Sequence, residues 1–292
     1  MKKLFFSFIG VLFFMSAISQ ELPFRLEELT APDFIKAVEK SSKTCIIPIG
    51  VMEKHGAQLP LGTDVYLSRE YALRAADQEY AVVFPMYYFS QINEARHQSG
   101  TIAYSPELIW KILQETLDEL NRNGFEKIIL VNGHGGNNAF LNFFGMAQLS
   151  EQRNYSLYWF RPEGNAGLKK KAEELTQPDK YDSHAGNSET SMMAAAQPDL
   201  TLKERAGQQS GVDLERMKHL DYIYSGIWWY ASFPNHYGGD GSKANAEAGE
   251  LLIGNTVNQL VEMIKTVKAD TIVPELQNQF FKEAENPLKT KQ

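Results

Sequence analysis

Four short runs of apolar, β-branched residues punctuate this chain, and the stretches between them decide what it can fold into. Thr44-Cys45-Ile46-Ile47-Pro48-Ile49, Ala81-Val82-Val83-Phe84-Pro85, Lys127-Ile128-Ile129-Leu130-Val131 and Ser156-Leu157-Tyr158-Trp159-Phe160 each read as a buried strand. Residues 66–78 and 106–122 have helical composition and period, and Asn123-Gly124 closes the second of them as a C-cap. Strand, helix and strand in this order imply an α/β protein with a mainly parallel sheet and helices on both faces. A late stretch, about residues 246–267, places Ile253, Val257, Leu260, Val261 and Ile264 on one helix face, which reads as packing. In open parallel sheets ligands gather beyond the carboxyl ends of the strands, so the loops that follow strands are where chemistry is expected.

Length and charge narrow the function. The 292 residues are 43% apolar and 22% charged, without a repeat or a Pro/Gly-rich linker, so residues 20–292 read as one large domain. A net charge of −7 without long basic runs argues against nucleic acid or an anionic membrane as partner, because neutralising phosphate needs clustered Lys and Arg. Residues 1–19 differ from the rest. Lys2 and Lys3 precede a mostly apolar run from Leu4 to Ile18, and Ala17 and Ser19 place small side chains at −3 and −1 of a cleavage before Gln20. This segment reads as a signal peptide, too short for a membrane span, which predicts a periplasmic or secreted protein. Cys45, the only cysteine, cannot form an internal disulfide.

Three strand-following loops concentrate the chemistry. Residues 50–64, Gly-Val-Met-Glu-Lys-His-Gly-Ala-Gln-Leu-Pro-Leu-Gly-Thr-Asp, supply Glu53, His55 and Asp64, a mixed N/O donor set that suits Zn²⁺, Mn²⁺ or Fe²⁺. Asn132-Gly133-His134-Gly135-Gly136-Asn137 sets glycines on both sides of a histidine, which allows close approach of a metal or small substrate. Asp182-Ser183-His184-Ala185-Gly186-Asn187-Ser188-Glu189-Thr190-Ser191 supplies His184 and, in the first turns of a helix, Glu189, which could equally stabilise the helix dipole.

Taken in order, these segments resemble the creatininase (creatinine amidohydrolase) family. The resemblance also takes in Gly239-Asp240-Gly241 running into the Ala-rich stretch after Ser242, and so spans roughly Ile46 to Val267. It implies a three-layer α/β/α fold and a centre of two divalent metal ions, Zn²⁺ foremost with Mn²⁺ or Fe²⁺ as alternatives, that hydrolyses non-peptide and often cyclic amide C–N bonds. By the same resemblance Glu53, Asp64 and His134 hold one ion. His55, Asp64 and a further carboxylate hold the other, which makes Asp64 the bridge. Two cations a few Å apart need a shared anion to offset their repulsion, and such a pair lowers the pKa of a bridging water from about 16 towards 7, so the expected nucleophile is that hydroxide. His184 is the expected proton shuttle, its ordinary pKa near 6.5 letting it protonate the departing nitrogen at neutral pH.

Departures from the family pattern matter. Creatininase itself carries a glutamate two residues after the Asn-Gly-His histidine, where this chain has Gly136, and Glu189 is the expected replacement. Ser183 stands where creatininase has an acid before the shuttle histidine. Both differences fall on the second-ion and substrate side and argue against creatinine itself as substrate. In Glu94-Ala95-Arg96-His97 the family's Glu-His pair is broken, which leaves His97 at the rim. Asp240 is expected to cap a helix. Trp228, Trp229 and Tyr230, with His236 and Tyr237, could wall a pocket or sit at a subunit interface and carry no assigned role. Other readings of the same donors are a formamide hydrolase, a small-peptide metallopeptidase, or a non-catalytic periplasmic binding protein. The family resemblance further implies a homo-oligomer, a hexamer in many members, and a small-molecule amide partner.

Overall fold

The computed structural model describes residues 21–178 and 181–290, so the signal segment expected over residues 1–19 lies outside the described residues. Four parallel strands, β1 (Thr44–Ile49), β2 (Val82–Val83), β3 (Lys127–Asn132) and β4 (Ser156–Phe160), form one sheet in the order β2-β1-β3-β4. The helices are α1 (Ala31–Lys40), α2 (Thr63–Gln78), α3 (Pro106–Arg122), α4 (Asn137–Ala147), α5 (Ala166–Thr176), α6 (Asn187–Ala196), α7 (Trp228–Ser232), α8 (Ala246–Ala269) and α9 (Ile272–Ala284). None of them is long and apolar enough to cross a membrane.

The period-2 alternation of the strands divides the core. Ile46, Val83, Ile129, Val131 and Phe160 pack against α2 and α8, where Tyr71, Ala75, Ile253, Val257, Leu260 and Ile264 meet them. Cys45, Ile47, Ile49, Val82, Ile128 and Leu130 pack the other way, against Ala37 of α1, Leu113 and Leu117 of α3 and Phe144 of α4. Helices cover both faces, giving three layers. The apolar face expected for α8 is buried as read.

The run 81–85 yields only a two-residue strand, and the reason is local. Ile46 pairs with Val83, yet Ile49 pairs with Tyr87, so β2 carries one extra residue between these points and bulges. On β1, the Ile46 carbonyl accepts from Phe84 N and Gly50 N donates to Tyr87 O, so Pro48 between them turns its backbone towards the bulge. Pro48 has no N–H to leave unpaired there, which reconciles a proline with a central strand. Ser105 caps α3 by accepting from Leu108 N, ahead of Pro106 at the first helical position. Asp240 is not the cap of α8: Asn245 Oδ1 accepts from Glu247 N and Ala248 N, whereas Asp240 accepts from Ser242 N within its own turn.

Candidate metal centre and active site

Three of the site residues arrive on the loop after β1 and the helix it enters. Glu53 and His55 belong to the loop and are fully buried, and Asp64 lies in the first turn of α2. Two glycines let that turn sit on the sheet. A Cβ on Gly50 would stand 2.5 Å from Val65 N, and one on Gly133 would stand 2.3 Å from the Asp64 carbonyl oxygen. The carboxyl ends of β1 and β3 thus press against the backbone at Asp64 and aim its side chain between them. His134 follows β3 in a loop held by Asn132, whose Oδ1 accepts from His134 N at 3.2 Å and whose amide donates to His134 O at 2.6 Å.

The third segment is tied to the first. Gln58 donates to Ala185 O at 2.7 Å, and Ala185 adopts a left-handed φ of 52°, a conformation unusual for a residue with a side chain. His184 exchanges backbone hydrogen bonds with Gly238, which draws the segment around His236 alongside. Its Nε2–H donates to Lys54 O at 2.9 Å, leaving Nδ1 to face Glu189 Oε2 at 3.9 Å.

The five expected ligands converge. Among the described residues, Glu53, Asp64 and His134 present donor atoms within 4.8 Å of one another, and so do His55, Asp64 and Glu189. Asp64 belongs to both groups through different oxygens: Oδ1 lies 3.0 Å from His55 Nε2, and Oδ2 lies 3.2 Å from His134 Nδ1. A third combination, Glu53, His55 and His184, also falls within reach and was not expected from the sequence.

The electrostatics match a cation site. Glu53 Oε1 and Asp64 Oδ2 are buried and accept no hydrogen bond, although His134 Nδ1 stands 2.8 Å from the first. Such proximity without N–H alignment is how atoms gather on a shared ion, and leaving them otherwise unpaired would be costly. Burial works against the charge on His55, yet Asp64, Glu53 and Glu189 together lift its pKa to about 10. Burial likewise pushes the Glu189 carboxyl up to about 7, with Asp64 and Glu53 adding to the effect. Protons are drawn to a nest of buried anions, which is where divalent cations bind. His184 behaves differently: burial holds its imidazole well below the ordinary 6.5, with His55 and His236 adding to that and Glu53 opposing it. With Nε2–H donated to Lys54 O, the neutral ring offers Nδ1 as its acceptor.

Two site residues were not found by sequence reasoning. Glu94, in the 3₁₀ turn Asn93–Ala95, occupies the space over Gly136, where a Cβ would meet Glu94 Oε1 at 2.1 Å, and stands 3.4 Å from His134 Nε2. His236 is almost fully buried and hydrogen-bonds Glu53 Oε2, so the cluster left without a role belongs in part to the site. His97 bonds Pro234 O at 2.8 Å and lines the cleft from an exposed position, at the rim as expected. The cleft encloses about 1310 Å³ between these residues and a wall of Phe140, Tyr224, Ile227, Trp228 and Tyr230.

The family model for creatinine amidohydrolase matches residues 27–264. The chain belongs to the creatininase family. Among its relatives are the creatinine amidohydrolase of Pseudomonas putida, 26% identical over 61% of this chain and 74% of that one, and the mycofactocin precursor peptide peptidase of Mycolicibacterium smegmatis, 26% identical over 77% and 85%. A crystal structure of creatininase shares the fold with a TM-score of 0.73 at 21% identity, over 85% of this chain and 99% of that one. Manganese and zinc–zinc forms of creatininase have also been solved and share the fold at 20% identity, with TM-scores of 0.71 and 0.72. As a creatininase-family member the chain is a hydrolase, with donors of the kind such metals take.

Proposed function

We propose that this creatininase-family hydrolase uses two divalent metal ions, zinc foremost, to cleave the C–N bond of a non-peptide amide. The observation that carries the reading is Asp64, whose two carboxylate oxygens serve two separate donor groups in one buried cleft. Glu53, Asp64 and His134 would hold one ion, and His55, Asp64 and Glu189 the other. Bound there, the pair would polarise the amide carbonyl and make water nucleophilic at neutral pH. His184 is suited to accept the proton of the attacking water at Nδ1 and to return it to the departing nitrogen, while Lys54 O fixes the ring through Nε2–H. Ile227 and Trp228 give the cleft an apolar wall against which the non-polar part of an amide substrate can pack.

The cleft is larger than a single small ring needs, which favours a second reading, a short peptide, for the same machinery. Arg96 is the only Lys or Arg among the described residues that line the cleft, so an amide that carries a carboxylate suits either reading. The test is metal analysis of purified protein followed by turnover assays on lactams, formamides, N-acyl amino acids and dipeptides. Up to two ions per chain with hydrolysis of at least one class is expected. Retained metal with no turnover across all four classes would instead support a binding protein. Export rests on the composition of residues 1–19, and a mature N-terminus at Gln20 in exported material would support it, whereas a start at Met1 would contradict cleavage.

A further inference from the structure

Glu53 is gripped from behind by a buried chain of two side chains. Trp229 Nε1–H donates to His236 Nδ1 at 2.7 Å, and His236 Nε2 in turn meets Glu53 Oε2. All three are nearly inaccessible, with relative exposures of 9%, 2% and 0%. The indole N–H can only donate, so His236 Nδ1 must be the acceptor, and the proton of the neutral ring then lies on Nε2 and points at the carboxylate. This occupies Glu53 Oε2 and leaves Oε1, which accepts no hydrogen bond, facing His134 and Asp64.

The backbone is shaped for this contact. His236 adopts a left-handed φ of 55°, its N–H donates to Phe233 O, and the neighbouring Gly238 is pinned to His184. Trp229 packs on Phe233 with ring centroids 4.7 Å apart and also lines the cleft, so one indole forms pocket wall and tether at once.

We infer that Trp229 and His236 are positioning residues that fix Glu53 as a metal ligand: a relay in series in which the indole sets the imidazole tautomer and the imidazole sets the carboxylate. Partners of this kind typically change metal affinity or activity by about 10–100-fold when removed. The inference rests on the two-ion reading above.

The test is titration of metal-stripped, full-chain protein with Zn²⁺ against a competing chromophoric chelator, with the melting temperature of each stripped sample recorded in parallel. The variants are Trp229→Phe, which keeps an aromatic ring but loses the N–H together with part of the indole, His236→Gln, and the double variant. Zinc affinity should fall about 10–100-fold in each single variant, and the double should bind no more weakly than His236→Gln, because the two act in one chain. Unchanged affinity in both singles, losses that add in the double, or a lowered melting temperature with normal affinity would each overturn the relay. If His236→Gln does not fold, Trp229→Phe decides alone. If the unsubstituted protein takes up no zinc, it is the metal reading itself that fails.

Discussion

One added methyl group at Gly133 should disable the metal centre without replacing a ligand side chain. The Cβ of a Gly133→Ala variant would lie 2.3 Å from the Asp64 carbonyl oxygen and 3.0 Å from the Ser68 Cβ. Backbone on both sides must move by roughly 1 Å to restore ordinary contact distances of about 3.5 Å. Overpacking of this kind costs about 1–3 kcal/mol, offset in part by about 0.4–1 kcal/mol from the stiffer unfolded chain. For a domain of this size each kcal/mol lowers Tm by about 2–4 °C, so the stripped variant should melt a few degrees early. The larger effect falls on metal uptake, because Asp64 serves both donor groups and such sites tolerate displacements of only about 0.5 Å. Zinc at about 100 times its Kd should stabilise the unsubstituted protein by about 2.7 kcal/mol, and this increment should largely vanish in Gly133→Ala. Gly135→Ala is the control: a Cβ there meets nothing within 4 Å, so its stripped Tm and zinc increment should match the parent. Thermal melts of the three proteins, stripped and zinc-loaded, decide the matter. A full zinc increment in Gly133→Ala, or equal damage from Gly135→Ala, would refute the close-approach argument.

Other substitutions probe separate parts of the molecule. Asp64→Ala should lose metal at both positions and all hydrolysis, and elemental analysis showing full occupancy would exclude its bridging role. Arg96→Ala should raise KM for carboxylate-bearing amides about 10–100-fold, the worth of a charge-assisted hydrogen bond, while neutral amides and kcat stay near the parent values in steady-state assays. Asp270 accepts from Tyr158 Oη at 2.7 Å and from Ile272 N at 2.9 Å, and the tyrosine hydrogen bond first among these holds its carboxyl below the usual range. Its contribution to stability is therefore complete above about pH 4 and is lost as pH falls below it. Asp270→Asn should flatten that acid limb in pH-resolved melts, and an unchanged limb would count against the assignment.

The fold was legible where local pattern and global role coincide. β1 and β4 begin and end where their apolar runs do, and α3 does so because Ser105, Pro106 and Gly124 mark its limits chemically. Helices α4 and α6 were harder to read, since their sequences double as site loops and lack a clear apolar stripe. β2 was overestimated because a bulge is a property of pairing and not of composition.

The candidate site divides along the same line. The sequence singled out Glu53, His55, Asp64, His134, His184 and Glu189 because three polar, glycine-bearing segments carry them, and the resemblance to the creatininase family supplied their expected roles. Tertiary structure alone decided that Glu94 reaches over Gly136 to His134 and that His236 backs Glu53. His236 is 183 residues from Glu53 and sits among aromatic residues whose composition suggests packing. Nothing local distinguishes a histidine that fills space from one that aims a carboxylate, since the difference lies in what the folded chain places at the far side of the ring.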